Sequence, residues 1–271
     1  MATVARTAGG DRIWRRFNSA QRLSRFVVYL VIVAAIVVSI QTIEVIPEFL
    51  ADAPEQVVDL FARMWPVDFA HYPGSVHDAL VETIHIATLG TLLSIVLALP
   101  IGVLAARNLV PFAGINFAAK LLLVSSRSVN SLVWALLFVG IFGPGALAGT
   151  LAIAFRSIGF VGKLLGEALE EANAGPIEAL AAAGAPWTSR MTFGYWPQVK
   201  PAFWSIALFR FDINVRESAV LGLVGAGGIG MALDSALNLF QWGRVALNLL
   251  AILIVVIVTE IIVTQIRKRM L

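Results

Sequence analysis

Four arginines, Arg127, Arg156, Arg210 and Arg216, stand inside stretches of sequence that are otherwise apolar. A guanidinium at mid-bilayer costs about 2.5–3.5 kcal/mol on insertion scales, so such a residue normally faces a partner or a polar cavity. Asp212 lies four residues before Arg216 with the acid N-terminal, the spacing of a structural ion pair across one helical turn. Arg210 and Glu217 are seven residues apart, about two turns, and are expected to be too distant to pair easily. Arg127 and Arg156 have no acid three or four residues away, which makes them candidates for a path that draws an anion. Arg210 and Arg216 complete the candidate path set.

Other chemistry is excluded residue by residue. The chain has no cysteine, which removes disulfides, thiolate metal sites and cysteine nucleophiles. Gly225, Gly227 and Gly230 satisfy the dinucleotide spacing G-x-G-x-x-G, but an apolar run of helix length precedes them where a strand would be required. A packed re-entrant turn is the better expectation there. Gly162-Lys163 lacks the rest of a phosphate loop, because Leu164 follows and Ser157 stands where the first glycine belongs. His71, His77 and His85 are scattered; Glu82 sits three residues before His85, but no further ligand completes a recognisable metal set. No catalytic constellation is present, so the chain is not expected to be an enzyme, and no cofactor is expected.

The elements that must position the arginines are legible from composition. Of 271 residues, 59% are hydrophobic and 14% charged, against nearly a quarter charged in ordinary soluble domains. The apolar residues are gathered into runs that match the roughly 30 Å hydrocarbon core. An all-α membrane protein with about six transmembrane helices is expected. The runs cover about Phe26–Ile43, His77–Ala106, Ala118–Phe142, Ala146–Leu165, Pro201–Val224 and Val245–Ile266. A basic segment, residues 1–25 with Arg12, Arg15, Arg16, Arg22 and Arg25, precedes a first span in residues 26–46. The span reads as retained, since its run exceeds a signal h-region of about 7–15 residues. Residues 47–77 carry Glu48, Asp52, Glu55, Asp59 and Asp68 against a single arginine, Arg63. Val57, Val58, Leu60, Phe61 and Met64 recur there at helical spacing, as in an extracytoplasmic amphipathic helix on the membrane surface.

Residues 78–271 form the remaining core. Gly143-Pro144-Gly145 ends the third run, and the fourth carries Ala148, Gly149, Ala152, Gly159 and Gly162, which let helices approach closely in lipid. The distribution of Lys and Arg places both termini on the cytoplasmic side of a bacterial plasma membrane. The basic residues flank apolar runs instead of forming a stripe, so nucleic acid is not an expected partner.

Residues 167–200 are the one sizeable polar stretch in the second half, and within it residues 172–198 contain Glu178-Ala179-Leu180, then Gly184, then Pro197. This spacing resembles the E-A-A loop of permease subunits of ATP-binding-cassette importers, with departures at Leu180, Gly194 and Trp196. The runs Leu132–Val139 and Asn214–Gly230 look like those of phosphonate importer permeases. The resemblance implies a type I importer permease fold, like that of the methionine permeases. It implies that Glu178, Ala179, Gly184 and Pro197 couple the chain to two cytoplasmic ATPases that hydrolyse ATP elsewhere. It further implies a second permease copy forming a homodimeric pore, an extracytoplasmic binding protein, and phosphonate, phosphite or phosphate as cargo. Alternatives are a permease of the same kind for methionine or another small solute, and an ion-coupled secondary transporter. The arginine cluster favours an anion, and no inverted repeat supports the last.

Overall fold

A computed structural model describes residues 17–43 and 46–270; Arg12, Arg15 and Arg16 of the basic segment lie outside them. Every regular element among the described residues is helical. The first is α1, Ser19–Thr42, which starts seven residues before the apolar run because Asn18 caps it. The Gln21 side chain accepts from the Asn18 backbone N–H at 3.1 Å, closing a capping box, and α1 then exposes its apolar residues on every side. A helix apolar all round with no protein cover is suited to lipid. Next comes α2, Pro47–Met64, in the amphipathic segment.

The chain divides into two units at Leu60/Phe61. In the second, short helical turns over residues 69–76 lead into α3, His77–Ala105. It is followed by α4, Ala113–Ser128, α5, Ser131–Phe142, and α6, Ala146–Glu170. Then come α7, Ala174–Ala182, the single turn α8, Trp187–Ser189, and α9, Trp196–Leu221. The short α10, Ile229–Asn238, and the long α11, Trp242–Met270, complete the order. Among the described residues, five helical stretches are long and apolar enough to span a bilayer, and a sixth is added if α4 and α5 count as one.

That pair corrects the expectation of one continuous third span, because α4 and α5 meet at 90°. Asn130 is the reason. Its backbone is extended (φ −64°, ψ 146°) and its side chain accepts from the Leu132 N–H at 3.1 Å, opening a new helix where hydropathy saw no break. Trp134 Nε1 donates to the Ser126 carbonyl at 3.3 Å and holds the corner.

The core of this unit is the contact of α3 with α6, and it is built from small residues. Ala87, Ala98, Ala148, Ala152 and Ala154 are wholly buried. A Cβ on Gly102 would lie 3.0 Å from the Gly162 carbonyl, so the two backbones touch. At one end of the pair, Glu170 accepts from the Arg107 N–H at 2.9 Å and pairs with Lys120 at 3.2 Å. Asn116 Nδ2 donates to the Ala105 carbonyl at 2.5 Å, which fastens α4 to the end of α3. At the other end, the glycine run after α9 packs against the start of α6. Gly145 N–H donates to the Gly225 carbonyl at 2.9 Å, and Ile229 N–H donates to Thr83 Oγ1 at 2.8 Å. Gly227 has φ +86°, and a Cβ there would sit 2.8 Å from Ala146 N, so turn conformation and close approach both demand glycine.

Candidate functional site

The polar residues of α9 separate by angle. At about 100° per residue, Arg210, Asn214 and Glu217 share one side of the helix, while Asp212 and Arg216 share the opposite side. The first set faces α3 and α6. Asn214 is fully buried; its Nδ2 donates to Thr91 Oγ1 at 2.8 Å and its Oδ1 accepts from Ser157 Oγ at 3.0 Å. Ser157 Oγ accepts in turn from Arg210 Nε at 2.9 Å. Thr91 is the midpoint of α3 and Ser157 lies near the midpoint of α6, so this chain of hydrogen bonds crosses the bundle at half height.

Beyond Ser157 the chain becomes charged. Arg210 is 3% exposed, and its Nη2 lies 3.6 Å from Glu217 Oε1. The same carboxylate oxygen pairs with Arg156 Nη1, which also donates to Ser131 Oγ at 3.3 Å. Both guanidiniums stand over the Phe160 ring, with Arg210 at 4.8 Å and Arg156 at 6.0 Å from its centroid. One carboxylate therefore serves two arginines, and the cluster keeps one positive charge in excess. Arg156 Nε, Arg210 Nη2 and Glu217 Oε2 are buried without a hydrogen bond. A planar fork with free donors at low dielectric is an oxyanion receptor by its chemistry.

This geometry revises the reading from spacing. Arg210 and Glu217 do meet, because both lie on one side of α9 and two long side chains close the rise of about 10.5 Å over seven residues. Arg156 lacks an acid on its own helix but finds Glu217 on another. Arg216 turns away from the cluster. It pairs with Asp212 at 2.6 Å, stands 3.7 Å from Glu260 of α11, and leaves 47% of its side chain exposed.

Arg127 lies at the end of α4, one residue before the helix stops. It lines a groove of 190 Å³ between α4 and α6 with Lys120, Lys163, Glu167 and Glu170. The Lys120–Glu170 and Lys163–Glu167 pairs, each at 3.2 Å, neutralise the other charges, and Arg127 makes no ion pair among the described residues. No hydrogen bond or ion pair joins it to the Arg156–Arg210 cluster.

The polar stretch before α9 forms an exposed elbow. Asn173 caps α7 by accepting from the Gly175 N–H at 2.9 Å. Glu178 and Ala179 stand exposed on α7, and Gly184 ends that turn with φ +76°, a conformation suited to glycine. Pro197 is the second residue of α9, which continues directly from a helical segment over Arg190–Tyr195. Two departures from the E-A-A pattern face one another: a Cβ on Gly194 would lie 3.3 Å from Leu180 Cδ1 and 3.2 Å from Ile177 Cγ1. The larger side chain on α7 is matched by the absent one below it. Gln198 ties the elbow to α9, accepting from the Asn173 N–H at 2.9 Å and donating to the Gly194 carbonyl at 2.7 Å.

Residues 98–271 match the family model described as "Binding-protein-dependent transport system inner membrane component". This chain belongs to that family. Among curated relatives, it is 37% identical over 238 residues to a phosphate-import permease protein, PhnE, of Mycolicibacterium smegmatis, covering 88% of this chain and 44% of the relative. It thus spans less than half the length of that relative. It is 37% identical over 212 residues to the phosphite transport system permease protein PtxC of Stutzerimonas stutzeri, covering 78% of this chain and 77% of the relative. Among solved structures, an inward-facing methionine ABC transporter aligns with TM-score 0.63 at 21% identity, over 72% of this chain and 96% of that one. That likeness carries the fold, a type I importer permease.

The sequence reading missed Thr91, Ser157, Asn214 and Gln198, none of which is charged. The stripe Arg210-Asn214-Glu217, at i, i+4 and i+7, was the available signal for Asn214, since a polar stripe on an apolar helix must face inward.

Proposed function

We propose that the chain is the membrane permease of an ATP-driven importer for phosphorus oxyanions (phosphonate, phosphite or phosphate). The single observation that carries the reading is the excess positive charge at half height, where Arg156 and Arg210 converge on Glu217. Methionine, a zwitterion, offers this cluster no net charge to balance. The printed names of the two relatives, a phosphate importer and a phosphite transporter, support the same cargo class.

In this reading two copies of the chain form the pore, and both termini are cytoplasmic. The acidic α2 lies at the outer surface. Two ATPase subunits grip the elbow at Glu178, Ala179, Gly184 and Pro197, and an extracytoplasmic binding protein delivers the ligand. ATP binding draws the ATPases together, the elbows follow, and the pore opens outward; hydrolysis returns it inward. Selectivity rests with the binding protein, and the permease supplies a low-affinity, positively charged path through Arg156 and Arg210. Arg127 in its groove is a second station on that path. Arg216, neutralised by Asp212 and Glu260, holds α9 to α11.

The test is ATP hydrolysis by the complex of permease, ATPase and binding protein across a ligand panel. Phosphonate, phosphite or phosphate should stimulate it. Stimulation by methionine and by no phosphorus compound would overturn the cargo assignment.

A further inference from the structure

We infer that Glu217 is a built-in stand-in for the cargo: its carboxylate occupies the seat between Arg156 and Arg210, and a phosphorus oxyanion must displace it to pass. This rests on the proposed function above and adds a specific device to it.

A carboxylate and a phosphorus oxyanion both present anionic oxygens to a guanidinium fork. Here one oxygen of Glu217 contacts both guanidiniums, Arg156 Nη1 directly and Arg210 Nη2 at 3.6 Å. The cluster leaves two donors, Arg156 Nε and Arg210 Nη2, and one acceptor, Glu217 Oε2, without hydrogen bonds, although all three atoms are buried. A tetrahedral oxyanion carries more acceptor oxygens than Glu217 applies here and could engage those idle donors. Phe160 backs both guanidiniums, and Ser157 and Ser131 hold them from either side. The two guanidiniums are thus braced, and their occupant is a side chain 15% exposed, about two turns along α9 from Arg210.

The arrangement has a use. Two unneutralised arginines at half height would hold a divalent oxyanion too tightly to release it, and would be costly to bury when empty. An internal competitor lowers affinity by the fraction of time it occupies the seat. It balances one of the two positive charges when no cargo is bound and lets cargo leave when Glu217 returns.

The experiment uses the assembled complex of the chain with its ATPase subunits, without binding protein or nucleotide. Equilibrium binding of radiolabelled phosphate, phosphite and methylphosphonate is measured for wild type and for Glu217→Gln. If the carboxylate fills the seat about nine-tenths of the time, the variant binds its preferred oxyanion about tenfold tighter. Its ATP-driven uptake is correspondingly slower, because release lags. Adding Arg156→Gln or Arg210→Gln to Glu217→Gln should abolish the gain. A merely structural Glu217 would give the opposite pattern, weaker binding together with slower uptake, and that result overturns the inference.

Glu217→Asp guards against a variant that does not assemble. One methylene shorter, it should bind with intermediate tightness, and wild-type affinity in an assembled Glu217→Asp complex counts against the idea. Infrared difference spectra of the wild-type complex, with glutamate isotopically labelled, should show a carboxylate band shift on adding phosphate; an unmoved band also counts against it. If wild type imports phosphorus oxyanions but none of these signatures appears, only this inference falls. If wild type imports none of them, the proposed function itself falls.

Discussion

Single residues carry the charge logic. Replacing Arg156 or Arg127 with Gln should cut ATP-driven uptake of phosphorus oxyanion severely while leaving the assembled complex intact, as judged by size-exclusion chromatography. Unchanged uptake in both variants would remove them from the path. Asn214 has a different role: it is the hub between Thr91 on α3 and Ser157 on α6. Asn214→Leu keeps the volume but strands the Ser157 hydroxyl, so a loss of about 1–3 kcal/mol is expected, read as a lowered melting temperature of the purified complex. The four arginines were legible in the sequence because charge in an apolar run is conspicuous. Their partners were not. Glu217 meets Arg156 only through the packing of α6 on α9, and no spacing within one helix encodes that contact. The Asp212–Arg216 spacing, by contrast, lies within one turn, and the two side chains stand 2.6 Å apart.

At the scale of elements, the apolar runs located the helices but not their breaks. Hydropathy is blind to the turn at Asn130, since one capping amide in a long apolar stretch barely changes the mean, yet it rotates the chain by 90°. The elbow was read from Glu178, Gly184 and Pro197, while its internal fit was not. Leu180 and Gly194 looked like two independent departures, and their compensation emerges only when α7 folds over the segment before α9. Placing isoleucine at 194 alone, Gly194→Ile, should therefore overpack the elbow at a cost of about 1–3 kcal/mol. It should reduce stimulation of the ATPase by the binding protein, and the paired change Leu180→Ala with Gly194→Ile should recover it. Gly184→Ala forces a side chain into the left-handed region at φ +76°, a strain of about 1–2 kcal/mol. Its expected outcome is weaker co-purification of the ATPase.

The whole molecule joins a small-residue contact of α3 with α6, a charged layer at half height, and an exposed elbow between α6 and α9. Composition alone made the membrane class legible, because runs of about 20 apolar residues have few other uses. The division of labour with a separate motor came from the elbow's spacing and from the lack of any nucleotide loop around Gly162-Lys163; Lys163 instead pairs with Glu167. The most direct test is uptake of radiolabelled phosphorus oxyanion into proteoliposomes that hold this chain with or without its ATPase partner, with binding protein supplied outside and ATP inside. The account expects uptake only when ATPase and hydrolysable ATP are both present, and its loss when the elbow is disabled by Gly184→Ala together with Glu178→Ala. Uptake by the chain alone, without ATPase or nucleotide, would contradict it.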